Sequence, residues 1–235
     1  MALLEIRAVM VRFGGVMAVA GVDLDAEAGR VTGLIGPNGA GKTTLFNVVS
    51  GIQDPTAGAV FLDGVDLARS GPHRRAKLGM ARTFQRLELF SSLTVHDNVL
   101  VAAEIAGQPH AGRMATELLE RIGITALADT EAGDLPTGSA RLVEVARALA
   151  IGPKVLLLDE PASGLDEQET VELGGLLREL AASGLAVVLV EHDMSLVMDV
   201  CDVVYVLDLG RVIARGTPAE VQGHPAVIEA YLGVG

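Results

Sequence analysis

Gly36-Pro37-Asn38-Gly39-Ala40-Gly41-Lys42-Thr43 follows the pattern G-x-x-x-x-G-K-[ST], between an apolar run ending at Ile35 and a stretch that reads as the start of a helix. Glycines without a Cβ let successive backbone N–H groups turn inward around an anion, and the helix N-terminus adds partial positive charge. Such a loop cradles nucleotide phosphates. Lys42 is then placed to pair the β and γ phosphates and Thr43 to ligate Mg²⁺, with Thr44 beside them. A second pair, Asp159-Glu160, closes the apolar run in "KVLLLDEP". At the C-terminal edge of a parallel sheet, where open α/β folds bind ligands, the Asp can hold Mg²⁺ and the Glu can polarise an attacking water. The two clusters together predict hydrolysis of ATP or GTP.

The elements that must carry these residues are legible in the apolar runs. Leu4 to Met10, Val16 to Leu24 and Ala59 to Leu62 have β character, the last followed by a hairpin-like Asp63-Gly64, and suggest an antiparallel patch. Val31 to Ile35, Val155 to Leu158, Ala186 to Val190 and Val203 to Leu207 are almost wholly apolar, as buried parallel strands are. Thr94 to Ile105 and Met114 to Ile122 read as helices, the first opening with Thr94 and Asp97 at capping-box spacing. The expected fold is α/β, with a parallel-sheet core, an N-terminal antiparallel patch and a helical lobe over residues 86–149.

Composition narrows the function classes. With 18 Lys plus Arg against 30 Asp plus Glu, net −12, and only 3% aromatics, the chain is poorly suited to tracking a phosphate backbone or stacking bases, and no nucleic-acid partner is expected. The longest charge-free runs fall short of the ~18 residues that cross a bilayer. The N-terminus "MALLEIRAVMVRF" carries a charge by its fifth residue, and the single cysteine, Cys201, has no partner for an internal disulfide. Both features point to the cytoplasm. Cys201 reads as a small buried side chain in an apolar helix, and Asp166 to Glu172 as a solvated helix face. His73, His96, His110 and His224 lack metal-ligand spacing, so no metal beyond Mg²⁺ is expected.

Along essentially its whole length the chain resembles the ATPase subunit of ABC transporters. Gln85 in "ARTFQ" matches the family's Q-loop, "SGLD" (163–166) its D-loop, and His192 in "VLVEHD" its switch histidine, in the family's chain order. The resemblance implies a P-loop cassette with a RecA-like core, residues 1–85 and 150–235, and a lobe at 86–149, all one domain over 1–235. It implies Glu160 as base, Asp159 as Mg²⁺ holder and His192 as the group orienting the water or the γ-phosphate. It casts Gln85 as γ-phosphate sensor, Mg²⁺ contact and link to a membrane partner. Phe13 in "VRFGG" stands where the family stacks an aromatic on adenine; as a residue alone it also reads as the core end of a strand.

The signature loop departs from the family. Where most members read LSGGQ, this chain reads "LPTGS", Leu135 to Ser139, and Pro136 offers neither N–H nor hydroxyl to a phosphate. Gly138 and the following helix N-terminus stay able to face an anion. The departure resembles the branched-chain amino acid importer branch, one of whose subunits has an LPYG-like signature. "RTFQRLELFSSLTVHDNVLVA", "EHDMSLVMDVCDVVYVLDLGRVIARGTPAEV" and the terminal "HPAVIEAYLG" are similar to it as well. Thr137, Ser139 and Ala140 differ from that branch, and the segment from Val101 to Leu135 is shorter. The resemblance implies ATP and Mg²⁺, a second ABC ATPase subunit, two membrane-spanning permease subunits at the cytoplasmic face of the membrane and, indirectly, an extracytoplasmic solute-binding protein. Urea, amides or aromatic acids are alternative solutes. A non-transport ABC ATPase of DNA repair or translation and an unrelated P-loop enzyme such as a nucleotide kinase or GTPase are the rival readings.

Overall fold

The computed structural model describes residues 2–232; Met1 and residues 233–235, among them the last glycine of "HPAVIEAYLG", lie outside it. Alternating side chains give the N-terminal segment two long strands, β1 (Ala2–Phe13) and β2 (Val16–Glu27). In β1 the inward residues are Leu4 and Ile6, then Val9 and Val11, because Ala8 (φ 47°) sits where the register with β2 shifts. One inserted residue moves the inward set from even to odd positions. β3 (Val31–Ile35), buried throughout, runs through the glycine loop into α1 (Lys42–Ser50). Next come β4 (Ala57–Leu62) and β5 (Val65–Asp66), turned by Asp63 and Gly64 at φ 50° and 74°.

Then follow α2 (Pro72–Lys77), β6 (Met80–Arg82), α3 (Val95–Ile105), α4 (Ala111–Ile122) and α5 (Thr137–Ala150). The chain continues through β7 (Val155–Asp159), α6 (Glu167–Ala182), β8 (Ala186–Val190), α7 (Met194–Val200), β9 (Val203–Asp208) and β10 (Arg211–Gly216). It ends in α8 (Pro218–Gln222) and α9 (Pro225–Leu232).

Two sheets form, ordered β2-β1-β4-β5 and β10-β9-β3-β8-β7-β6. The first is antiparallel. In the second, β9, β3, β8, β7 and β6 are parallel and β10 returns antiparallel. The larger sheet is the middle layer. Leu156, Leu158, Val187 and Leu189 face a core shared with α5, α6 and α7, while Val155, Leu157, Val188 and Val190 face one shared with α1 and the antiparallel sheet. Because the strands are parallel, β3, β6, β7 and β8 all deliver their C-terminal ends to one edge. Four separate stretches of sequence meet there.

Several expectations are corrected. α4 begins at Ala111 rather than Met114; its N-cap His110 (φ 59°) makes no side-chain cap bond, so the sequence carries no start signal. Thr94 is the N-cap of α3, its Oγ1 accepting from the Asp97 amide at 3.0 Å. Cys201 is buried but follows α7 in extended conformation instead of lying in the helix. β5, β6, β10 and α2 are too short or too polar to stand out from their surroundings in periodicity. Among the described residues no helix is long and apolar enough to cross a membrane.

Candidate functional site

The glycine loop is built by steric necessity at two positions. A Cβ on Gly36 would lie 2.0 Å from the Leu207 carbonyl oxygen, and one on Gly41 2.4 Å from that of Ala18. Gly39 has open space around it but a φ of 79°. Lys42, the first residue of α1, is buried and arches back over the loop, Nζ donating to the Gly36 carbonyl at 2.6 Å and the Pro37 carbonyl at 3.1 Å. Burial pushes its pKa down, against the attraction of Glu160 and Asp159. Asn38, Gly39, Ala40, Gly41, Lys42, Thr43 and Thr44 line a cleft of about 310 Å³ with Gln85, Glu160 and His192 across it.

Glu160 is the junction. The chain leaves β7 with Glu160 at φ 52°, its amide donating to the Val190 carbonyl at 2.8 Å. A non-glycine residue held there costs about 1–3 kcal/mol, and such strain concentrates at functional positions. Its carboxylate is shared: Gln85 Nε2 donates to Oε2 at 2.8 Å, and His192 Nε2 lies 2.8 Å from Oε1. Gln85 comes from the segment after β6 and His192 from the end of β8, so one carboxylate joins three strand ends. Asp159 beside it is buried, and its Oδ2 accepts from Arg82 Nη2 at 2.9 Å.

Three contributors were not legible in the sequence. Glu191 is buried, accepting from the Ala162 amide at 2.7 Å and the His192 amide at 2.9 Å, and so ties the loops after β7 and β8 together. Burial raises its pKa while those amides and the Asp193 amide oppose the rise. Arg141 on α5 donates to the Phe84 carbonyl at 2.9 Å and to the Gln85 carbonyl, fixing the backbone that carries Gln85. Arg82 is the third. Charged residues at three-residue spacing on the otherwise apolar face of α5 (Arg141, Glu144, Arg147) were the one available signal.

Five expected residues, Gly36, Pro37, Asp159, Phe13 and Gly138, do not line this cleft. Phe13 ends β1 with 51% of its surface exposed, which removes the reading of it as a core residue. Gly138 is buried in the first turn of α5, with the Glu169 carboxylate so close that a Cβ would meet it at 2.4 Å. Glu169 therefore packs inward instead of forming only a solvated face, while Asp166 caps α6 in a reciprocal capping box with it. Beside Gln85, a second depression of about 370 Å³ has a largely apolar lining that includes Ile52, Phe84, Phe90, Val101 and Ile105.

A glycine loop that opens a helix at the C-terminal edge of a parallel sheet, facing a carboxylate contacted by two side chains, defines the class as an α/β P-loop nucleotide hydrolase. The description "ABC transporter" matches residues 19–163, and "Branched-chain amino acid ATP-binding cassette transporter" matches residues 211–235. The chain is 40% identical to the high-affinity branched-chain amino acid transport ATP-binding protein BraF of Pseudomonas aeruginosa, over 98% of each protein. It is also 40% identical to the corresponding LivG of Escherichia coli, again over 98% of each. A solved ATP-binding cassette of an ABC transporter in its ADP conformation superposes with a TM-score of 0.90 at 31% identity, over 99% of both chains. The chain belongs to the ABC transporter family, as an ATP-hydrolysing cassette of the importer type.

Proposed function

We propose that this cassette powers uptake of branched-chain or related amino acids through two membrane-spanning permease subunits. The carrying observation is identity of 40% over 98% of the chain with two proteins named for that transport. On this reading residues 1–235 form one cassette with its lobe at 86–149, held at the cytoplasmic face of the membrane by the permeases. A second cassette pairs with it, and a solute-binding protein delivers substrate from the other side. The apolar groove beside Gln85 receives the permease, so that a shift of Gln85 on phosphate binding reaches the membrane partner.

The residues present fit a magnesium nucleotide. The N-terminus of α1 carries no side-chain cap, so its first amides are not taken by a capping side chain, and Asp159 beside Glu160 and the Thr43 hydroxyl are oxygen donors of the kind Mg²⁺ takes, with Gln85 a further oxygen across the cleft. Bound there, Mg²⁺ would neutralise charge on the β and γ phosphates. Lys42 and the backbone amides of residues 41–44 hold the phosphates, and Phe13 stacks on the adenine. Glu160 takes the proton of the attacking water, while Gln85 and His192 hold its carboxylate in line. Gly138 and the α5 N-terminus cap the partner's nucleotide.

The test is uptake of radiolabelled leucine by cells expressing the cassette with its neighbouring permease genes and solute-binding protein. Uptake that is lost with Lys42→Ala and competed by valine and isoleucine supports the reading. Competition by urea, amides or aromatic acids alone would reassign the solute.

A further inference from the structure

Arg82 ends β6, three residues before Gln85, and its side chain is only 7% exposed. It does not face the cleft. Nη1 donates to Asn47 Oδ1 at 2.8 Å and to Ser50 Oγ at 2.9 Å, both on α1, and Nη2 donates to Asp159 Oδ2 at 2.9 Å. The guanidinium carbon lies 5.0 Å from the centre of the Phe84 ring and 5.6 Å from that of Phe46. One cation therefore joins the helix that follows the phosphate cradle, the strand end that bears Asp159 and the segment that carries Gln85.

We propose that Arg82 is a positioning residue for the divalent cation: it holds Asp159 Oδ2 and so fixes the carboxylate whose other oxygen would serve the metal. This rests on the reading of Asp159 as the Mg²⁺ holder. A guanidinium suits the task because its planar fork reaches α1 and the carboxylate at once, which an ammonium cannot do in fixed geometry. Outer partners of this kind orient the ligating group, and their loss typically lowers metal affinity by about 10–100-fold. The aromatic rings and α1 fix the guanidinium in turn, so the carboxylate's orientation depends on the place of α1 and of Phe84. Metal affinity is thereby linked to the position of the Gln85 segment.

The experiment follows binding of a fluorescent ADP analogue to the full chain, first in EDTA and then across a Mg²⁺ series, so no turnover is needed. For Arg82→Gln the affinity in EDTA is expected within about threefold of the parent, while the Mg²⁺ concentration giving half the enhancement rises about tenfold or more. Arg82→Lys should fall between them. An unchanged Mg²⁺ midpoint, or an equal loss of affinity in EDTA, overturns the proposal. Should Arg82→Gln not fold, Asn47→Ala with Ser50→Ala loosens the guanidinium while Asp159 keeps its counter-charge; a raised midpoint supports the proposal and an unchanged one overturns it. Asp159→Asn separates the two readings. If it leaves the Mg²⁺ response intact, the assignment of Asp159 fails and this inference with it; if it abolishes the response while Arg82→Gln does not shift it, only the role of Arg82 fails.

Discussion

Glu160 draws a hydrogen-bonding side chain onto each of its carboxylate oxygens, and its own backbone is held at positive φ to do so. A group fixed this way suits a base better than a metal ligand, whereas Lys42 is a buried cation bent over the phosphate loop. The two should fail differently. Glu160→Gln is expected to bind MgATP near normally and to hydrolyse it about 10²–10⁴-fold more slowly. Lys42→Ala should instead weaken binding, having removed a fixed charge from the cradle. Single-turnover kinetics separate the two, and near-normal chemistry in Glu160→Gln removes it from the base role. The three loop glycines should also differ among themselves. Gly39→Ala meets nothing and carries only left-handed strain, about 1–2 kcal/mol. Gly36→Ala and Gly41→Ala drive a Cβ into backbone carbonyls that cannot swing away, at about 3 kcal/mol or more. Denaturant midpoints in the absence of nucleotide give that order; equal costs for the three would refute the steric argument.

α1 illustrates how an element's far end supports its near one. The helix opens on the glycine loop, and at its other end the Asn47 carbonyl accepts from Ile52 and the Val48 carbonyl from Gly51, while Arg75 on α2 adds a second donor to Val48 and supplies one to Val49, Nη1 lying 2.6 Å from each. Nε and Nη2 meanwhile hold the Ser70 and Leu67 carbonyls. Gly51, at φ 78°, lets the chain turn over the guanidinium, since a Cβ there would lie 2.7 Å from Arg75 Nε. Burial lowers the Arg75 pKa, with Asp54 opposing, and the guanidinium charge complements the helix C-terminus. Arg75→Met should cost about 2–3 kcal/mol, because the Val49 and Ser70 carbonyls lose their partner while Val48 and Leu67 keep backbone amides, with Arg75→Lys recovering only part. Urea unfolding measures it, and a cost below about 0.5 kcal/mol would place the support elsewhere. Nothing in the sequence singles out Arg75, Arg82 or Glu191, because a lone charged residue gains meaning only from partners that the fold brings from elsewhere. The glycine loop, the wholly apolar strands and the Asp159-Glu160 strand end were legible for the opposite reason. Their physics is local: the missing Cβ, the double-sided burial and the strand terminus are all written within a few residues.

The parallel sheet gathers four strand ends at one edge, but this completes only half of the site proposed for the cassette pair. The other half lies at the start of α5, and here the chain's own packing matters. Pro136 is the N-cap and supplies no side-chain cap, Gly138 has the Glu169 carboxylate against it, and a Cβ on Gly164 of the SGLD stretch would lie 2.8 Å from Thr137 Cγ2. A negative charge thus sits beside the turn that would face a partner's γ-phosphate, and at about 5–10 Å through a partly buried medium such repulsion is worth on the order of 1 kcal/mol or more. Two copies of this chain would offer each other that weak cap at both sites. A partner cassette with an intact LSGGQ-type loop would complete this chain's cradle properly and leave only the reciprocal site weak. The purified chain alone is therefore expected to hydrolyse ATP slowly, and co-purification with the second cassette of its operon to raise the rate at least tenfold. In the pair, Lys42→Ala should abolish most turnover, while the matching change in the partner's loop should abolish little. Relief of the weak cap gives an independent reading: Pro136→Ser with Glu169→Gln should raise the activity of the isolated chain toward that of the pair. Full activity of the unaltered chain as a homodimer, or a pair that depends on the partner's lysine and not on Lys42, would reverse the assignment of strong and weak sites.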